Sequence, residues 1–254
     1  MYYQSEQLQS TIRSIKYKYK NGIVEPVHQH QVCQFIYIKR GVIRVYAQNR
    51  CWVIVPSRGL LIPAGIPHSL LAVGNVELRA LYIHPEISAE MNDKISILQV
   101  SPLLSELINS AAEFEDVIIK GSREERINQL ILDELSLMES KDFNVVMPLS
   151  AELKVFCERV SNNYDRPWEL ADVASSLGVS VKTISRKFHL ETGLSFGEWL
   201  RCFRLLKSME LMASGYSVTD AALAVGYDSQ SSFSITFKKR VGISPKFFVS
   251  HPKI

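Results

Sequence analysis

The sequence has only four cysteines, Cys33, Cys51, Cys157 and Cys202, and no two of them form a Cys-x-x-Cys pair. Their wide spacing excludes a thiolate zinc site and a disulfide framework, fits a reducing cytoplasm, and leaves all four as small packing residues. No run approaches the 18 or so apolar residues a membrane span requires, so no membrane partner is expected. The opening MYYQSEQLQSTIRSIKYKYK holds no apolar segment of the signal-peptide kind. Charge of one sign is scarce as well. The 29 Lys and Arg against 26 Asp and Glu leave a net +3, too little to announce a nucleic-acid partner. The balance is uneven, however: from Ser150 onward 14 Lys and Arg face 10 Asp and Glu, while the earlier part has 15 against 16. A basic C-terminal portion fits a phosphate-bearing partner. The 254 residues, 46% of them hydrophobic, suffice for two ordinary domains.

From about Ser14 to Pro85, short β-branched and aromatic runs alternate with turn residues, as in QFIYIKRG, VIRVYAQN, WVIVPSRG and VELRALYIHP. Strands recurring at this interval predict a small antiparallel barrel or sandwich. After Pro102 the period changes. SPLLSELINSAAEF and SREERINQLILDELSLME carry apolar residues at helical spacing, with Ile127, Leu130, Ile131, Leu135 and Met138 in the second. The KDFNVVMPLS stretch reads as a connection, and beyond Ala151 the chain reads as helices with short turns. The fold class expected is α+β with two domains: an antiparallel β-barrel, then helices, then an all-α C-terminal domain. The divisions are 1–100 for the barrel, 101–146 for a helical linker region, and 147–254 for the all-α C-terminal domain.

The C-terminal portion contains an internal echo. LADVASSLGVSVKTISRKFHLETGLS and VTDAALAVGYDSQSSFSITFKKRVGISP each pair a small-residue helix with a Gly turn and a helix begun by Ser. Phe188 and Phe237 fall at equivalent places, each followed five residues later by a glycine, Gly193 and Gly242. In a helix-turn-helix the first helix crosses the second closely, so small residues such as Ala174 and Ala222 or Ala224 belong at the crossing. Gly178 and Gly226 suit the sharp turn, and Ser180 and Ser229 suit the cap of the next helix. With Ile184 and Phe188 facing inward, Lys182, Ser185 and Arg186 fall on the outer face. In the second copy Phe233 and Phe237 face inward, and Gln230, Ser231 and Ser234 look outward. Lys238 and Lys239 then lie near the helix end, suited to phosphates. A single copy could be an amphipathic hairpin with a solvated face. Two copies at one spacing, joined by a long helix over about 196–212, point to a paired DNA reader.

These segments read RxF…GxSFxEWLxxxRLxxSxxLM and AxxVGYxxxSSFSxxFKKxxGISPxxF, where x is any residue. Over roughly the last hundred residues the chain resembles the AraC/XylS family of transcription regulators. The resemblance implies seven helices, a long linker helix, and two recognition helices entering successive major grooves of double-stranded operator DNA. It places base contacts on Lys182, Ser185 and Arg186, then on Gln230, Ser231 and Ile235. Two departures stand out. Ile235 occupies a place where the family often has Arg, and Val249 stands where the closing motif usually has Arg. Trp168 and Trp199 read as core.

In the front domain Gly22-x5-His28-x-His30-x3-Gln34-x6-Gly41 is followed by Pro63-x-Gly65-x2-His68. Two histidines at i, i+2 on a strand share a face, and a third from a neighbouring strand completes a facial site suited to a divalent transition metal. The spacing resembles the two cupin motifs, with Gln34 in place of the usual Glu and Ser57 in place of the opening Gly. The candidate metal ligands are His28, His30, His68 and Gln34. Since a neutral Gln brings no charge to balance a cation, the alternative is a barrel mouth lined by imidazoles that holds an effector without metal. Tyr37, Trp52 and Tyr82 are candidates for an effector pocket or for core, and His84 for a turn.

The expectation is therefore a transcription regulator, not an enzyme, whose barrel senses a small-molecule or metal effector. The helices between Pro102 and Lys141 offer an apolar face for a homodimer or for docking the halves, and RNA polymerase is a further partner. The competing class is a cupin-type metalloenzyme, a dioxygenase or isomerase, fused to a DNA-binding tail. Gln34 argues against it, because the acidic ligand of many cupin catalysts is missing.

Overall fold

A computed structural model of the chain describes residues 10–250 apart from 90, 92, 116, 139–142 and 165. Lys141, at the end of the expected helical region and within its connection, lies outside the described residues. The strands are β1 (Ile12–Tyr19), β2 (Val24–His28), β3 (Cys33–Ala47), β4 (Arg50–Ile54), β5 (Arg58–Ile62), β6 (His68–Ile83), β7 (Ser96–Gln99) and β8 (Asn144–Val146). Two units divide the chain. One takes the described residues up to Gln48 and from Ile54 to Met138, the other Asn49–Val53 with Phe143–Val249. These boundaries differ from the divisions expected at 100 and 146.

In the first unit β6 is the spine. It runs 16 residues, pairs with β3 along one edge, and pairs with β2 and then β1 along the other. β5 adds to β3 and β7 adds to β5, all antiparallel. Among the described residues the order does not return on itself. The barrel expected from sequence is thus an open antiparallel sheet, because no ladder joins β7 back to β1 or β2.

Alternation along the strands decides what each face does. Phe35, Tyr37, Leu81 and Ile83 point to the face covered by α2 (Pro102–Ala111) and α3 (Arg123–Ser136), where they pack with Leu104, Ile108 and Ile131. Both helices begin on a serine cap: the Ser101 and Ser122 hydroxyls accept from the amides of Leu104 and Glu125. Ile131 and Leu135 are buried, whereas Leu130 stays exposed on the flank. The apolar face these helices offered for pairing chains is therefore largely taken up by their own sheet. His84 does sit at a turn, where it caps the four-residue helix α1 (Pro85–Ser88).

Among the described residues the second unit joins the short β4–β8 ladder to seven helices, the number implied by the family resemblance. They are α4 (Ala151–Asn162), α5 (Leu170–Ser176), α6 (Val181–Thr192), α7 (Phe196–Ala213), α8 (Val218–Ala224), α9 (Gln230–Val241) and α10 (Pro245–Ser250). α7 is the axis. Its Trp199 is fully buried, stacks on Phe203, meets Phe188 edge to face, and donates its indole N–H to the Val146 carbonyl at 2.8 Å. Trp168, expected as core, is only half buried. It lies edge-on to Phe156, with the Arg166 guanidinium over its ring. All four cysteines are free and buried, and burial pushes the Cys33 thiol up to about 12. No helix among the described residues is long and apolar enough to cross a membrane.

Candidate functional site

The helix pairs α5–α6 and α8–α9 are built alike. Ala174 and Ala222 are buried at the crossings, and Gly178 and Gly226 turn the chain at φ +63° and +80°. The Ser180 hydroxyl then accepts from the Thr183 amide at 3.1 Å and Ser229 from Ser232 at 3.2 Å, starting α6 and α9. Each of these helices ends on a left-handed glycine, Gly193 or Gly242. Ile184 and Phe188 anchor the first to the core, and Phe233 and Phe237 the second.

Burial of those anchors fixes which residues face out. Lys182, Ser185 and Arg186 are exposed on α6; Gln230, Ser231, Ile235 and Lys238 are exposed on α9. Ser234 is half buried. Ile235 is 71% exposed. Gln230 is held, its Oε1 accepting from the Thr219 hydroxyl at 2.7 Å. The last turn of α9 carries Lys238, Lys239 and Arg240, where positive charge also favours the helix dipole.

In the first unit the other face of the sheet gathers the histidines. His28 and His68 are direct partners across the β2–β6 ladder, and their ring centroids are 4.3 Å apart. His30 follows β2, with its ring 5.0 Å from His28 and 5.6 Å from His68. One nitrogen from each of the three lies within 4.8 Å of the others. The tautomers of two are set locally. His28 Nδ1 lies 2.8 Å from the Pro26 carbonyl and His68 Nδ1 lies 2.9 Å from the Ile66 carbonyl. A carbonyl can only accept, so each Nδ1 carries a proton, and in the neutral ring each Nε2 keeps its lone pair. His68 Nε2 is buried with no hydrogen-bond partner. Burial and the neighbouring imidazoles of His28 and His68 push His30 down to about 4, and burial also lowers His68.

Gln34 lines the same narrow cavity, which offers about 10 Å³, enough for an ion or one water but not for a sugar-sized molecule. Its Nε2 donates to the Tyr82 hydroxyl at 3.2 Å, and its Oε1 is buried without a partner. Burial, then the nearby Tyr17, raises the Tyr82 phenol above its ordinary range. The three aromatic candidates do not share a pocket. Tyr82 alone lines the histidine cavity. Tyr37 sits on the opposite face of β3, bonded to the Ser105 hydroxyl at 2.7 Å, and Trp52 is core in the other unit.

Glu25 and Tyr19 also line the cavity and were not among the sequence candidates. The signal for Glu25 was its place inside the five-residue gap between Gly22 and His28. A separate cavity of about 490 Å³ lies at α3, with Leu61, Leu98 and Leu132 on its walls and Glu86, Gln129 and Asp133 as polar lining.

Residues 11–140 match the AraC-like ligand binding domain model, and residues 173–250 match a helix-turn-helix domain model. The HTH-type transcriptional regulator NimR of Escherichia coli is 28% identical over 228 residues, 90% of this chain and 83% of that protein. The virulence regulon transcriptional activator VirF of Yersinia enterocolitica is 25% identical, over 83% of this chain and 77% of that one. Among solved structures, ToxT from Vibrio cholerae aligns over 94% of this chain and 97% of its own, at 16% identity and a TM-score of 0.39. Two helix-turn-helix units behind a ligand-binding sheet domain define a DNA-binding transcription regulator. The chain belongs to the AraC family.

Proposed function

We propose that this regulator reads double-stranded operator DNA through α6 and α9, in two adjacent major grooves about one helical turn apart. Lys182, Ser185 and Arg186 contact bases from the first helix, and Gln230, Ser231 and Ile235 from the second, Ile235 against a thymine methyl. Lys238 holds phosphate. The observation that carries this reading is the repeated geometry of the two units, whose buried anchors leave these side chains outward. Footprinting the protein on its own genome tests it. Two protected segments on one face of the duplex are expected, and a single short footprint would reduce the reader to one helix.

The histidine cluster fits a divalent transition metal. Two imidazoles have their Nδ1 protons tied to backbone carbonyls, as metal-ligating histidines commonly do, and His68 Nε2 and Gln34 Oε1 are orphaned and buried. His28, His30 and His68 would hold the ion, with Gln34 as a neutral neighbour. The ion would supply a charge that knits β2 to β6. A small-molecule effector suits the larger cavity, whose size lies in the range of small-molecule sites. Effector binding acts by favouring one conformation over another. The protein works in the cytoplasm, as a homodimer that engages RNA polymerase, and catalyses no reaction.

A further inference from the structure

We propose that Glu25 supplies the negative charge of the histidine site, in place of the carboxylate that Gln34 lacks. The inference rests on the metal reading above and assigns its anionic ligand. Glu25 stands on β2 three residues before His28, and its Oε2 lies 3.9 Å from His28 Nε2. In the neutral ring that nitrogen carries the lone pair, because Nδ1 donates to the Pro26 carbonyl. A carboxylate oxygen and an imidazole lone pair facing each other repel unless a positive charge, a ring proton or a metal ion, sits between them. Two ligand atoms, each about 2.1 Å from one cation, can stand at most about 4.2 Å apart. The observed separation therefore fits a shared ion.

The carboxylate is also held in place. The Tyr19 hydroxyl donates to Oε1, which leaves Oε2 as the oxygen turned toward His28. This is the arrangement of a ligand oriented by an outer hydrogen bond. Burial, then the adjacent Glu25, raises the Tyr19 phenol, so it remains a donor. Across the cavity, Gln34 spends its amide on Tyr82. The charge has thus moved from β3 to β2, on the same cavity wall as His28.

Titration of the metal-stripped full chain with zinc, and with cobalt as a spectroscopic stand-in, tests this. Glu25→Gln keeps the shape, removes the charge, and should weaken binding at least about ten-fold, the scale of a lost ligand-shell interaction. Adding Gln34→Glu to Glu25→Gln should recover most of the loss, because it returns the charge from the opposite wall. Tyr19→Phe should produce a smaller loss. His68→Ala marks the floor, and thermal melting of each variant without metal identifies a folding defect. Unchanged affinity in Glu25→Gln, with tight binding by the parent and loss in His68→Ala, overturns the role of Glu25 alone. No binding by the parent overturns the metal reading with it. A loss in Glu25→Gln that Gln34→Glu does not repair, in a variant that melts normally, overturns the charge argument.

Discussion

Phe188 and Phe237 are 49 residues apart and hold the same place in two successive helix pairs, each fully buried and each five residues before a left-handed glycine. The pair fixes the rotation of α6 and α9 about their axes. Once these rings point inward, Arg186 and Ile235, each two residues before its ring, point outward.

Arg186→Ala should weaken specific operator binding by about 1–3 kcal/mol, the worth of a bidentate guanine contact, and relax preference at one base pair. Fluorescence anisotropy against a panel of single-base operator variants measures both. Unchanged affinity with unchanged base preference would remove α6 as a reader.

Binding should also depend steeply on salt. Log affinity is expected to fall linearly with log salt concentration, as counterions are released from the phosphates that Lys and Arg neutralise. Lys238→Ala should lower the slope by about one and leave sequence preference alone. A flat response in the parent protein would contradict a backbone-anchored complex.

Two glycines should respond in opposite directions to alanine. Gly226 turns at φ +80°, and an added Cβ would lie 3.2 Å from the Arg204 guanidinium, so Gly226→Ala should cost about 1–2 kcal/mol or more. Gly197 is the second residue of α7 with nothing nearer than 4.0 Å to the added methyl, so Gly197→Ala should gain up to about 0.5 kcal/mol, the low end of the mid-helix range. Urea unfolding of both variants decides it, and equal effects would mean that the turn at Gly226 tolerates a side chain.

The metal-free protein should lose stability on mild acidification. His30 titrates near 4 in the folded chain and near its ordinary 6.5 when unfolded, and burial is the larger cause. The unfolded state therefore binds the proton first. The contribution of neutral His30 is whole above pH about 6.5 and is lost progressively as the pH falls toward 4. Melting temperature measured across that window with chelator present should fall less in His30→Gln than in the parent. Parallel curves would show that His30 is not held neutral.

The second unit was legible because its signals are local. Serine caps, turn glycines and anchors four residues apart act within one or two turns of helix, so LADVASSLG and DAALAVGY announced their structure directly. The three histidines were legible from their spacing, although β2 ends at His28 and the chain after the strand, not strand alternation, brings His30 to the other two. Trp168 shows where locality fails. An aromatic beside a helix start reads as core, but the Arg166 side chain covers its ring in place of a second helix.

What the sequence determined by itself was the class of protein: two helix-turn-helix units with named outward residues, and a sheet domain carrying three histidines. What only the tertiary structure decided was which residues meet across strands. It placed Tyr37 and Tyr82 on opposite faces of one sheet, buried the apolar stripes of α2 and α3 on that sheet, and left the sheet open. It also broke the β2–β6 register between Glu25 and His28, which puts these two residues of one strand in a cavity that Gln34 of β3 also lines. The physical reason is strand register. A shift of one residue exchanges the two faces of a sheet, and register depends on ladders formed between segments far apart in the chain.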